Sequence, residues 1–144
     1  MGKSPDELAS YVRILYDQFI NNCLAAGCPV IIEDTGRLPS EQVLNIQMGR
    51  SWTRNSKHLP QPPEMKSEAF DAVPRSVVNL KQWGWTGDYE HSHPDWAKMR
   101  DIGERLGLRC GGRWPYNPPH SKPDPGHFQW QQPQSASDED VSTA

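Results

Sequence analysis

Three short stretches of the chain carry side chains suited to holding a metal ion. Ser56-Lys57-His58 places an imidazole just ahead of a proline-rich run. Asp71 lies inside the apolar segment Ala69-Phe70-Asp71-Ala72-Val73, where an ionised carboxylate faces a desolvation cost unless something positive offsets it. Asp124-Pro125-Gly126-His127 runs straight into Phe128-Gln129-Trp130. Two imidazoles and one carboxylate, from His58, Asp71 and His127, make the three-ligand set of a catalytic zinc site, with the fourth position left for water. Each stretch also has a plainer reading. A histidine before a loop commonly stands at the surface, and a strand aspartate commonly bonds to backbone. Asp-Pro-Gly is an ordinary turn. Only their order and neighbours favour the chemistry.

Weaker candidates lie elsewhere. His91 and His93 form a His-x-His pair ahead of a helical segment, where a solvent-facing helix start is the simpler use. His120 lies in a Pro-rich loop and could line a cleft without binding metal. Trp83 and Trp85 could stack on a sugar, although core packing suits them as well. Asp138-Glu139-Asp140 is most simply a solvating end.

These side chains must be positioned by a small number of elements. Ser4-Pro5-Asp6-Glu7 predicts a helix start with Ser4 as cap, Pro5 at the first position and Glu7 closing a capping box. Leu8, Val12, Leu15, Phe19 and Cys23 follow at helical spacing, and Gly27 provides a stop. Val30-Ile31-Ile32 predicts a short buried strand, and Ser40 to Met48 a second helix ended by Gly49. The Ala69–Val73 run predicts a strand closed by Pro74. Pro94 to Leu106 predicts a third helix, with Trp96, Met99, Ile102 and Leu106 inward and Gly107 as its stop. Two short strands are expected near Leu108–Cys110 and His127–Trp130. The fold class is α+β: about three helices on a small, mainly antiparallel sheet. One domain is expected over residues 1–131, with a disordered polar and acidic tail over 132–144.

Composition sets further bounds. At 144 residues the chain suits one domain better than two. A net charge of −3 offers no basic surface for phosphates, so nucleic acid is not an expected partner. Cys23, Cys28 and Cys110 are an odd set without a CxxC pair, which argues against a disulfide framework and suits a reducing cytosol. The first residues, MGKSPDELASYV, do not read as a signal peptide, and no run reaches the ~18 apolar residues of a membrane span. The expectation is therefore synthesis in a reducing cytosol without stable membrane association, with any export depending on other factors or on lysis.

The ordered set of motifs resembles the family of zinc D-Ala-D-Ala carboxypeptidases and L-alanyl-D-glutamate endopeptidases. That group includes short phage endolysins and is related in fold to the hedgehog signalling domain. Its pattern of Ser-x-His, a small apolar strand with Asp, and an acid three residues before a final His is matched by Ser56-Lys57-His58, Ala69-Phe70-Asp71 and Asp124-Pro125-Gly126-His127. Arg37 with Glu41-Gln42 matches its upstream Arg and Glu-Gln, and Leu106-Gly107-Leu108 with Gly111-Gly112-Arg113-Trp114 also resembles it. The likeness runs over about residues 30 to 130.

The resemblance implies one zinc ion per chain held by His58, Asp71 and His127, acting on peptidoglycan stem peptides. It implies that Asp124 takes a proton from water and returns it to the leaving amine. Arg37 would hold a substrate carboxylate or stabilise the oxyanion. Gln42 would touch substrate, and Ser56 would touch substrate or orient His58. Many members separate the first His from the Asp by seven positions; here His58 and Asp71 are 13 apart, and Met65 stands at the shorter spacing beside Glu64. Glu64 is thus a rival ligand. Asp71 fits the family strand better, and the extra residues read as a surface excursion of low closure cost. The expected activity is cleavage of the L-alanyl–D-glutamate bond by a monomer. A D-Ala-D-Ala carboxypeptidase, or a zinc-stabilised binding module without hydrolysis, are the alternatives.

Overall fold

A computed structural model describes residues 4–36, 56–79, 93–115, 117, 121 and 123–131. The expected helix over 40–48, Arg37, Gln42, Trp83, Trp85, His91, His120 and the tail over 132–144 lie outside the described residues.

The N-terminus departs from its expected form. Ser4 caps a single 3-10 turn, Pro5–Glu7, by accepting from the Asp6 backbone N at 3.2 Å. The helix does not continue from there. Leu8 instead pairs with Ser67 in an extended bridge, and the backbone N of Ala9 donates to the Ser67 carbonyl at 2.9 Å. Glu7 does not close a capping box; its carboxylate accepts from the Thr35 hydroxyl at 2.6 Å. Helix α1 then runs Ser10–Ala25, and Gly27 beyond its end takes φ +76°. Its N-terminus is capped from a distance: Glu64 accepts from the Ser10 backbone N at 2.9 Å and also from the Ser10 hydroxyl.

Strand β1 is Val30–Asp34, longer than the expected three residues and half-buried over most of its length. Strand β2 is Ala69–Pro74, and a one-turn helix α2, Arg75–Asn79, follows directly. Helix α3 is Pro94–Arg105, with Trp96, Met99, Ile102 and Gly103 buried and Gly107 at φ +90° after it. Strands β3, Arg109–Cys110, and β4, His127–Gln129, complete the set, with a 3-10 turn Gly111–Arg113 between them. The sheet has the order β1-β2-β4-β3 with every pair antiparallel, which fits the expected α+β class.

Strand alternation gives this sheet two chemically distinct faces. Phe70 pairs with Phe128 on the core face, and both rings meet Phe19 of α1 at centroid distances of 5.2 and 4.7 Å. Gly103 of α3 lets the helix close on Phe128, since a Cβ there would fall 2.5 Å from the ring. One residue along each strand, Asp71 pairs with His127. Packing one face in hydrocarbon therefore sends both polar side chains to the other.

Candidate metal centre

Asp71 is the meeting point. Its Oδ1 lies 3.0 Å from His58 Nε2 and 3.3 Å from His127 Nδ1. The two imidazole rings stand 5.1 Å apart at 75°. One candidate ligand atom from each residue falls within 4.8 Å of the others, so the three could hold a metal ion. Ligands of a tetrahedral ion at ~2.1 Å lie ~3.4 Å from one another, close to the two separations seen. Both histidines are buried, whereas the Asp71 side chain keeps 26% exposure. The triad is thus reached from the carboxylate side.

The hydrogen bonding also fits a cation. His127 Nε2 lies 2.8 Å from the Gln129 side-chain oxygen. A carbonyl oxygen only accepts, so Nε2 carries the hydrogen. Nδ1 then points its lone pair at the Asp71 carboxylate unless a second proton or a metal ion lies between them. Burial alone would push the Asp71 carboxyl up, but the charge and hydrogen bonds of His58 and His127 hold it well below the usual carboxylate range. Burial would lower His127, yet its hydrogen bond to Asp71 and the charges of Asp71 and Asp124 raise it. The site holds a negative charge and attracts a positive one.

Asp124 stands beside this group in the turn before β4. Its backbone N donates to the Gly111 carbonyl at 2.8 Å, and its own carbonyl accepts from His127 N at 3.1 Å. Burial and then the nearby Asp71 charge push its carboxyl up to about 6, against the pull of His127 and His58. Two glycines permit this packing. A Cβ on Gly111 would stand 2.6 Å from the Asp124 carbonyl oxygen and 3.1 Å from His127 Cβ; one on Gly126 would stand 2.7 Å from the Ala72 carbonyl oxygen. Trp114, just past the Gly111 turn, lies over His127 with ring centres 4.9 Å apart.

The remaining candidates go elsewhere. Ser56 is buried, and its hydroxyl accepts from the His58 backbone N at 3.2 Å, a contact that holds the His58 turn. Glu64, the rival ligand, is bound to Ser10 at the start of α1. Met65 is 62% exposed at φ 56° in a turn. The excursion over 59–68 is no free surface loop, because its far end is tied to Glu7, Ala9 and Ser10. His93 caps α3: its Nδ1 accepts from the Asp95 backbone N at 3.0 Å. Sequence reasoning missed Gln129, and it placed Gly111 and Trp114 in the resemblance without giving either a role. The signal for Gln129 was present, since a residue two after His127 in a strand shares its face.

A solved structure shares this fold. It is the Serratia marcescens L-Ala D-Glu endopeptidase ChiX, 19% identical, with a TM-score of 0.56 over 88% of this chain and 83% of that one. No family model and no curated protein sequence matches the chain. Among the described residues, no helix is long and apolar enough to cross a membrane.

Proposed function

We propose that the chain is a zinc peptidase of the D-Ala-D-Ala carboxypeptidase and L-alanyl-D-glutamate endopeptidase family, cutting the L-alanyl–D-glutamate bond of peptidoglycan stem peptides. The observation that carries this reading is the convergence of His58 and His127 on one oxygen of Asp71, with Asp124 alongside. The fold likeness to an L-Ala D-Glu endopeptidase supports it.

His58 Nε2, Asp71 Oδ1 and His127 Nδ1 would hold one zinc ion. When bound, zinc supplies Lewis acidity that polarises a scissile carbonyl and lowers the pKa of a water. Asp124 would accept a proton from the attacking water as its oxygen bonds to the carbonyl carbon. It returns the proton to the amine nitrogen as the C–N bond breaks. A carboxyl near 6 is suited to both directions close to neutral pH. Ser56 fixes the backbone of His58, and Trp114 covers one face of His127. Arg37 and Gln42 are assigned to substrate, Arg37 binding the D-Glu α-carboxylate or the oxyanion. The catalytic domain spans 1–131, acts as a monomer on the cell wall in the manner of an endolysin, and does not depend on 132–144.

Digestion of purified peptidoglycan, with mass spectrometry of the released termini, tests the reading. New D-Glu amino termini are expected, with terminal D-Ala retained. Release of free D-Ala would convert the assignment to a carboxypeptidase. Bound zinc with no cleavage of any stem peptide would leave a binding module.

A further inference from the structure

Gln129 is a polar side chain in an otherwise well-filled strand, and it is buried. It sits on β4 between two neighbours, opposite Ala69 of β2 and Arg109 of β3, so its backbone is fixed on both sides. Two-residue periodicity places it on the same face as His127, and its Oε1 reaches His127 Nε2 at 2.8 Å. Trp114 packs against the same imidazole from another direction, with 44° between the rings. Gly111 leaves only 3.1 Å for a Cβ next to His127 Cβ. The ring is thus bounded on its face and at its root. The torsion about Cβ–Cγ and the choice of protonated nitrogen remain to be set.

We infer that Gln129 is a positioning residue for the metal centre: it holds the hydrogen of His127 on Nε2 and so presents a bare Nδ1 to the ion. The inference rests on the metal-peptidase reading above. A histidine ligand must offer one lone pair and dispose of its other N–H, and an acceptor that fixes this proton also fixes ring orientation. Gln129 supplies that acceptor without adding a third negative charge beside Asp71 and Asp124. In a site where the Asp71 charge already raises Asp124, a neutral amide leaves that balance undisturbed.

The contrast with His58 supports a role specific to one ligand. Among the described residues, the buried His58 Nδ1 has no hydrogen-bond partner. Of the two imidazoles, only His127 has its distal nitrogen held by a side chain of its own strand.

Zinc affinity, read by chelator competition, tests the inference on wild type, Gln129→Met and Gln129→Glu. Methionine has similar length and flexibility but is a poor acceptor; glutamate keeps an oxygen at the same reach. Gln129→Met should bind zinc about 10–100-fold more weakly than wild type, and Gln129→Glu should bind it more tightly than Gln129→Met. Thermal unfolding of the metal-free proteins identifies any variant whose loss reflects folding. Imidazole ¹H–¹⁵N NMR of the zinc-loaded wild type gives an answer that needs no variant. It should show His127 with a slowly exchanging proton on Nε2. Unchanged zinc affinity in a folded Gln129→Met protein would overturn the inference while leaving the metal site standing. So would a His127 proton found on Nδ1. Wild-type protein that takes up no zinc would overturn both.

Discussion

His127 and His58 reach the same oxygen of Asp71 but are held there by different means. His127 belongs to a strand flanked on both sides, with Gln129 on its distal nitrogen, Trp114 on its ring and Gly111 against its Cβ. His58 sits in a turn. Its backbone N is held by Ser56, and the adjoining Lys57 carbonyl accepts from Glu68 N at 2.8 Å. The Glu68 side chain bonds to Tyr11 and lies 3.4 Å from Lys57 Nζ. The far end of the excursion reaches the start of α1 through Glu64 and Ser67. One arm is specified by local strand geometry. The other depends on an excursion docked against the N-terminal segment.

The largest expected effect removes what both arms share. Asp71→Ala should lose most of its zinc on dialysis, as measured by metal analysis, and turnover with it. His58→Ala and His127→Ala should follow the same course. Zinc retained in Asp71→Ala but lost in Glu64→Ala would move the carboxylate ligand into the excursion and undo the comparison.

Next in size is a change on the His127 side that spares the ligands. Asp124→Asn should stay folded and zinc-loaded while turnover falls about 10²–10⁴-fold, the usual range for a lost general base. Near-normal turnover would hand the role to another group, with Glu104 and His120 the first to examine.

The same variant has a pH signature in the metal-free protein. The Asp124 carboxyl is raised to about 6 by burial and the Asp71 charge, against 3.8 for a free carboxyl. A raised acid favours the folded state only when protonated, so its ionisation costs stability above pH 6. That cost fades as pH falls from about 6 to 4. Asp124→Asn should therefore exceed metal-free wild type in stability at pH 7, on the order of 3 kcal/mol, and converge with it by pH 4. Denaturant melts across that range read the difference directly, and a gain that grows toward low pH would contradict the assignment. Asp71 has the opposite sign: its depressed carboxyl contributes stability at neutral pH that is lost as pH falls below about 4.

The smallest effect sharpens the contrast between the arms. Glu64→Ala removes the distant cap of α1 and should lower the melting temperature slightly, as other lost caps do. Zinc stoichiometry should stay at one per chain. Amide hydrogen exchange should quicken around His58 more than around His127. Equal change at both would show that the excursion supports the whole site.

Much of this architecture was legible because its rules are local. The apolar face of α1 follows from 3.6-residue spacing, and Val12, Phe19 and Cys23 are buried as that spacing requires. Gly27 and Gly107 stop their helices because both take positive φ, where glycine meets no steric cost. The alternation Phe70-Asp71 and His127-Phe128 already separated a core face from a polar face. Those strands also placed Asp71 and His127 opposite each other once their antiparallel register was set.

What tertiary structure alone decided are the partners that lie far apart in the chain. Ser4 and Glu7 spelled a capping box, yet Ser67 drew Leu8 and Ala9 into an extended pairing that ended the turn. Glu64 was a candidate ligand by spacing, yet it reaches Ser10, 54 positions away. In each case a polar group had several chemically adequate partners. Periodicity tells which face a side chain leaves by, whereas its hydrogen-bond partner depends on which distant segment packing brings within about 3 Å.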